Sequence, residues 1–128
     1  MNKIIETFLY SETHEWVKIM SETKALIGIS DFAQHALGDL VFINLPEAGE
    51  QVTAGEPFGD VESVKAVSDI NAPLTGTISA VNQEALDHPE LINADPYGCW
   101  FIEVADYELA PGLMKADAYE EFCKSEAH

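Results

Sequence analysis

The chain contains no arginine, and its only cations besides histidine are six lysines set against 23 acids. The formal net charge is −17 over 128 residues. A surface so poor in cations has little with which to neutralise phosphates, which argues against nucleic acid or anionic membrane as a partner. It suits solubility and steering onto basic patches of other proteins. Cysteine is also scarce. Cys99 and Cys123 show no metal-ligand spacing, and free thiols in a reducing compartment are expected. No apolar run approaches the length of a membrane span. Met1-Asn2-Lys3-Ile4-Ile5-Glu6 lacks both the character of a secretory signal and the Arg-rich, acid-poor character of a transit peptide. A cytoplasmic location is expected, or a mitochondrial matrix one if a transit peptide has been removed. His14-Glu15 could open a zinc-protease helix, but no histidine follows at the required spacing. No catalytic constellation is legible, so an independent enzyme is not expected.

What is present is enough hydrophobic sequence, 47%, for one domain spanning 1–128 with a single core and no staples. Residues 4–10 read as a first strand, and Trp16–Ile19 as a second. Ser21–Lys24 is a turn, and Ala25–Ser30 a short buried strand. Ser30 can cap a helix with Phe32, Ala33, Ala36 and Leu37 on one face, stopped by Gly38. Leu40–Leu45 is apolar on both faces and reads as a central strand. Gln51–Thr53, Pro57–Val61 and Thr77–Val81 are further strands, the last following a turn at Thr75-Gly76. Asn82–Asp87 reads as a short helix, Glu90–Gly98 as loop, Trp100–Val104 as a final strand, and about 113–125 as a helical tail. Short strands punctuated by glycine or proline every eight to twelve residues predict an all-β sandwich or barrel.

The scarcity of cations gives one lysine prominence. Lys3, Lys18, Lys24, Lys115 and Lys124 lie in the outer parts of the chain, and Lys65 is the only lysine between Lys24 and Lys115. It sits in Glu62-Ser63-Val64-Lys65-Ala66-Val67-Ser68-Asp69, where flanking valines favour strand and small residues leave space. The pattern reads as a tight hairpin with an accessible amine at its tip. The bland reading is a solubilising turn, since exposed lysines are common.

This segment closely resembles the lipoyl-attachment segment of the glycine cleavage system H-protein family. The resemblance extends over about 8–104, through His14-Glu15-Trp16, Gly28-Ile29-Ser30, Ala33-Gln34, Leu37-Gly38-Asp39, Leu91-Ile92-Asn93 and Asp95-Pro96-Tyr97. It departs at Cys99, where the family usually has a glycine, and at Met20–Lys24, which lacks a usual glycine. The resemblance implies a mainly β fold: a flattened barrel-sandwich hybrid with a few short helices, one of them C-terminal. It implies lipoate as the cofactor, amide-linked to Lys65, with Glu62, Ser63, Val64, Ala66, Val67, Ser68 and Asp69 forming the attachment hairpin. Thr13, His14, Glu15 and Asp69 become candidates for a cleft that shelters the loaded arm, the two carboxylates pairing with its ammonium. The implied partners are glycine decarboxylase (P protein), aminomethyltransferase (T protein), dihydrolipoyl dehydrogenase (L protein), and a lipoate ligase or lipoyl/octanoyl transferase. A non-catalytic carrier that visits several enzymes is expected to be a monomer. An H-like relay that passes lipoate to other proteins without glycine chemistry is the alternative. A biotin carrier fits less well, because Val64 and Ala66 flank the lysine where methionine is usual.

Overall fold

The computed structural model describes residues 3–126. The chain forms, in order, β1 (Leu9–Tyr10), β2 (Glu15–Ile19), β3 (Lys24–Ile29), α1 (Asp31–Leu37), β4 (Leu40–Asn44), β5 (Gln51–Val52), β6 (Pro57–Ser63), β7 (Val67–Asn71), β8 (Leu74–Val81), α2 (Gln83–Asp87), α3 (Glu90–Ala94), β9 (Ile102–Leu109) and α4 (Ala116–Glu126). The strands build two antiparallel sheets. One has the order β1-β2-β3-β9-β8-β5 and the other β4-β6-β7. The expected mainly β sandwich is present, and its two sheets do not close into a continuous barrel.

The strand period of two explains how the larger sheet is covered on both faces. Val17, Ile27, Ile102, Val104 and Ile78 join Ile43, Val61 and Ile70 of the smaller sheet in one core. Trp16 lies in a second, aromatic cluster with Phe8, Tyr10, Tyr119 and Cys123. Its indole N–H donates to the Pro96 carbonyl at 3.0 Å, so the buried ring is fixed at both its apolar and its polar end. Opposite it on β3 is Gly28, where a Cβ would come within 2.5 Å of the ring. Gly28→Ala is therefore expected to cost about 3 kcal/mol by overpacking, read as a lower urea midpoint at unchanged slope.

Several sequence expectations need correction. The first strand is only Leu9–Tyr10, because residues 6 and 7 form a turn. Leu40–Asn44 is an edge strand, not a central one, with Val41 and Phe42 about half exposed. Thr75-Gly76 is no turn but lies inside β8, where the register shifts. A Cβ at Gly76 would meet Val104 Cγ1 at 2.4 Å, so this glycine serves close strand approach. Glu90–Ala94 is helix rather than loop, and β9 runs on to Leu109. In α1 the Ser30 cap is present, its hydroxyl accepting the Ala33 N–H at 3.2 Å. Ala36 of the expected apolar face is exposed, however, and the buried residue is Gln34. Both cysteines are free and buried, and burial pushes the Cys99 thiol up to about 11. Among the described residues no helix is long and apolar enough to cross a membrane.

Candidate functional site

The β6–β7 hairpin turns through Ser63-Val64-Lys65-Ala66. The Ser63 N–H donates to the Ala66 carbonyl at 2.8 Å. The Ser63 hydroxyl oxygen accepts the N–H groups of Lys65 at 3.2 Å and Ala66 at 3.0 Å. One short side chain thus closes the turn, the local competence that favours serine in such places. Lys65 is left exposed at the tip, and no carboxylate among the described residues forms an ion pair with it.

The tip is also held from outside. The Val64 N–H donates to the Asp39 carbonyl at 3.1 Å. Gly38, which ends α1 at φ +84°, lies beneath the lysine stem. A Cβ there would sit 3.5 Å from Lys65 Cε. That is an ordinary van der Waals separation, so it is the positive φ that calls for glycine.

Strand register arranges the outer face of the smaller sheet. Phe42, Glu62 and Val67 form one row across it, and Asn44, Asp60 and Asp69 the next. Val64 and Val67 are 71% and 65% exposed. The lysine therefore rises from a surface that mixes bare apolar side chains with carboxylates.

Of the cleft candidates, Thr13 and Glu15 come together. The Glu15 carboxylate accepts the Ser11 hydroxyl at 2.6 Å and the Thr13 hydroxyl, and its other oxygen accepts the Asn71 N–H at 3.1 Å. Glu15 is only 2% exposed. Burial pushes its carboxyl above the ordinary range, against the lowering effect of the Ser11 and Thr13 hydroxyls and the Asn71 amide. Glu15 is thus committed to bracing the 11–15 segment against the end of β7. Beside this brace lies a cavity of about 260 Å³ whose lining includes Ser11, Thr13, Asn71, Pro73, Ala110 and Leu113. Asp69 is exposed, two residues from Asn71 on the same strand, a separation of about 7 Å.

His14 goes elsewhere. At φ +73° its backbone turns the ring toward α4. Nδ1 bonds the Tyr119 hydroxyl at 2.7 Å and Nε2 the Glu126 carboxylate at 2.5 Å, while the ring stacks on Phe32. It clasps the C-terminal helix and takes no part in lining the cavity. Sequence reasoning missed Gly38, Asp39 and Asn71 as neighbours of the site. The only signal for the first two was that they belong to a stretch similar to the H-protein family.

The family model for the glycine cleavage H-protein matches residues 8–126. The glycine cleavage system H protein of Lachnoclostridium phytofermentans is 49% identical over 124 residues, covering 97% of this chain and 98% of its own. That of Bacillus pumilus is 53% identical over 120 residues, covering 91% and 94%. A crystal structure of the glycine cleavage system H protein from Mycobacterium marinum superposes with a TM-score of 0.85 at 40% identity, covering 98% of this chain and 100% of that one. With a family model spanning most of the chain and relatives at about half identity along nearly all of it, the chain belongs to the glycine cleavage H-protein family.

Proposed function

We propose that this protein is the lipoyl carrier of a glycine cleavage system and that Lys65 is its attachment residue. The observation that carries the reading is the Lys65 amine itself, exposed at a turn closed by Ser63 and tied to Asp39. An amine that must enter the active site of a modifying enzyme needs exposure, a fixed backbone and no competing ion pair. Lys65 has all three.

The surroundings fit a long acyl arm. The lysine stem lies against the Gly38 backbone. From Lys65 the strand β7 leads past Asp69, about 13 Å on if fully extended, toward Asn71 and the cavity beside Thr13. Asp69 lies along that path and supplies negative charge to a cationic group on the arm. Glu15, with both carboxylate oxygens engaged, keeps Thr13 and Asn71 in register as walls of the cavity. Lipoate, when bound, supplies a disulfide that takes up the aminomethyl unit and is returned from the dithiol state by thiol–disulfide exchange. The protein's own part is presentation: a tethered arm reaches docked active sites at high effective concentration.

The partners in this reading are the P protein as donor of the aminomethyl unit, the T protein as acceptor, the L protein as oxidant, and a lipoate ligase or lipoyl/octanoyl transferase that loads the chain. The acidic surface and the exposed Phe42, Val64 and Val67 suit partners that offer a basic rim around an apolar notch.

Intact mass tests the proposal. Treatment with lipoate ligase is expected to add one lipoyl increment, mapped by peptide digestion to Lys65. Subsequent addition of glycine and P protein is expected to add an aminomethyl increment. Absence of the first increment would sink the attachment site. The first without the second would remove glycine chemistry from the reading and favour a lipoyl relay.

A further inference from the structure

The short helix α3 carries a side chain whose polar atoms are all directed at the support beneath the hairpin tip. Asn93 Oδ1 accepts the Leu40 N–H at 2.8 Å. Its Nδ2 donates to the Gly38 carbonyl at 2.9 Å and to Gln34 Oε1 at 2.9 Å. Gln34, which is buried, donates in turn to Asp31 Oδ1 at 2.7 Å. Asn93 thus brackets Asp39, binding the residue before it and the residue after it. Asp39 is the residue whose carbonyl holds the Val64 N–H, and Gly38 is the residue over which the Lys65 stem passes.

We infer that Asn93 is a positioning residue for Lys65: it fixes the Gly38–Leu40 segment, and that segment fixes the hairpin tip. The inference rests on the reading of Lys65 as the attachment residue. An asparagine suits the task because one planar amide offers an acceptor and two donors at once. Aspartate lacks the donors, and alanine lacks everything. The turn's own closure through Ser63 does not involve Asn93, so its loss leaves the hairpin formed but free to swing about its base.

The first arm of the test is amide hydrogen exchange in Asn93→Ala and Asn93→Asp, with Ile92→Val as a control of similar stability loss on the same helix. Ile92 is fully buried and touches none of these hydrogen bonds. In Asn93→Ala the Val64 amide is expected to exchange about tenfold faster, the equivalent of one lost hydrogen bond. The Ser63 and Ala66 amides, held within the turn, are expected to change little. Asn93→Asp, which keeps the acceptor for Leu40, should fall between, and it stands in if the alanine variant does not fold. Equal acceleration in Ile92→Val, or an unchanged Val64 amide, overturns the inference.

The second arm is lipoylation of the apo chain by lipoate ligase. The Asn93 variants are expected to show a KM raised roughly tenfold with kcat nearly unchanged, because the amine's chemistry is intact and only its presentation is loosened. Acylation of Lys65 by a small activated ester should match wild type. A KM unmoved by the Asn93 variants counts against the inference. Failure of the wild-type chain to accept lipoate would overturn the attachment reading instead, and the exchange arm would still decide whether Asn93 governs the tip.

Discussion

Lys65→Arg is expected to yield a folded protein that accepts no lipoate and supports no glycine turnover. The argument has two halves. The guanidinium keeps the charge but stays protonated at any accessible pH, so it offers no nucleophilic amine for amide formation. Nothing in the turn depends on the lysine side chain, because the Ser63 hydroxyl and the Ser63–Ala66 and Val64–Asp39 backbone bonds close it. Stability should therefore stay within about 0.5 kcal/mol of wild type, as for exposed substitutions in general. Intact mass after ligase treatment and a reconstituted turnover assay give the readout. A lipoyl increment on the arginine variant would move attachment to one of the other five lysines.

Glu15→Ala should show the second large effect, a loss of about 3 kcal/mol. It removes the common acceptor of Ser11, Thr13 and the Asn71 N–H in a buried setting, and each abandoned donor carries a cost. Glu15→Gln keeps the volume and one acceptor oxygen but turns amide hydrogens toward a donor, so it should lose about half as much. The pair also has a pH signature. Burial is the leading cause of the raised Glu15 carboxyl, so the folded chain holds this proton more tightly than the unfolded one. Its contribution to stability is then greatest below the unfolded pKa and falls as pH climbs through the folded pKa. The stability of wild type minus that of Glu15→Gln should decline over that window as the solution is taken from acid toward neutrality. Urea unfolding of both proteins across the range measures it, and a flat difference would show that the carboxylate is not desolvated. If Thr13 and Asn71 lose register in the alanine variant, the loaded state should also decay faster while lipoylation proceeds normally.

Much of this architecture could be read from residue patterns, and the misreadings have physical causes. Punctuated short strands pointed to the sandwich, Ser30 to the cap of α1, and the lone lysine to the hairpin. Leu40–Leu45 misled because a continuous apolar run looks the same whether it is buried or left bare for contact. Here Leu40 and Ile43 are inside while Val41 and Phe42 are outside. Pro89, Asn93 and Asp95 gave the α3 region the composition of a loop, although the five residues between Pro89 and Asp95, Asn93 among them, form a helix. His14 and Glu15 are neighbours in sequence and diverge in space, because one left-handed residue sends the imidazole to α4 while its successor turns inward. No one-dimensional pattern announces that choice. Nor could it show that Asn93 bridges to Gly38 and Leu40, more than fifty positions away.

The apolar side chains that β4 leaves exposed have a consequence for how copies of this molecule meet one another. Val41 and Phe42 are about half exposed on a strand that lies at one side of its sheet, and exposed apolar side chains favour self-association. At neutral pH two such surfaces would bring together chains of net charge −17, and mutual repulsion is expected to oppose the encounter. That protection is electrostatic and therefore conditional. Near the isoelectric point of about 4.2, or in strong salt, it is withdrawn. Light scattering should then register self-association that Phe42→Lys suppresses. The surplus of acid is thus expected to act as a colloidal guard over the apolar side chains that β4 leaves exposed.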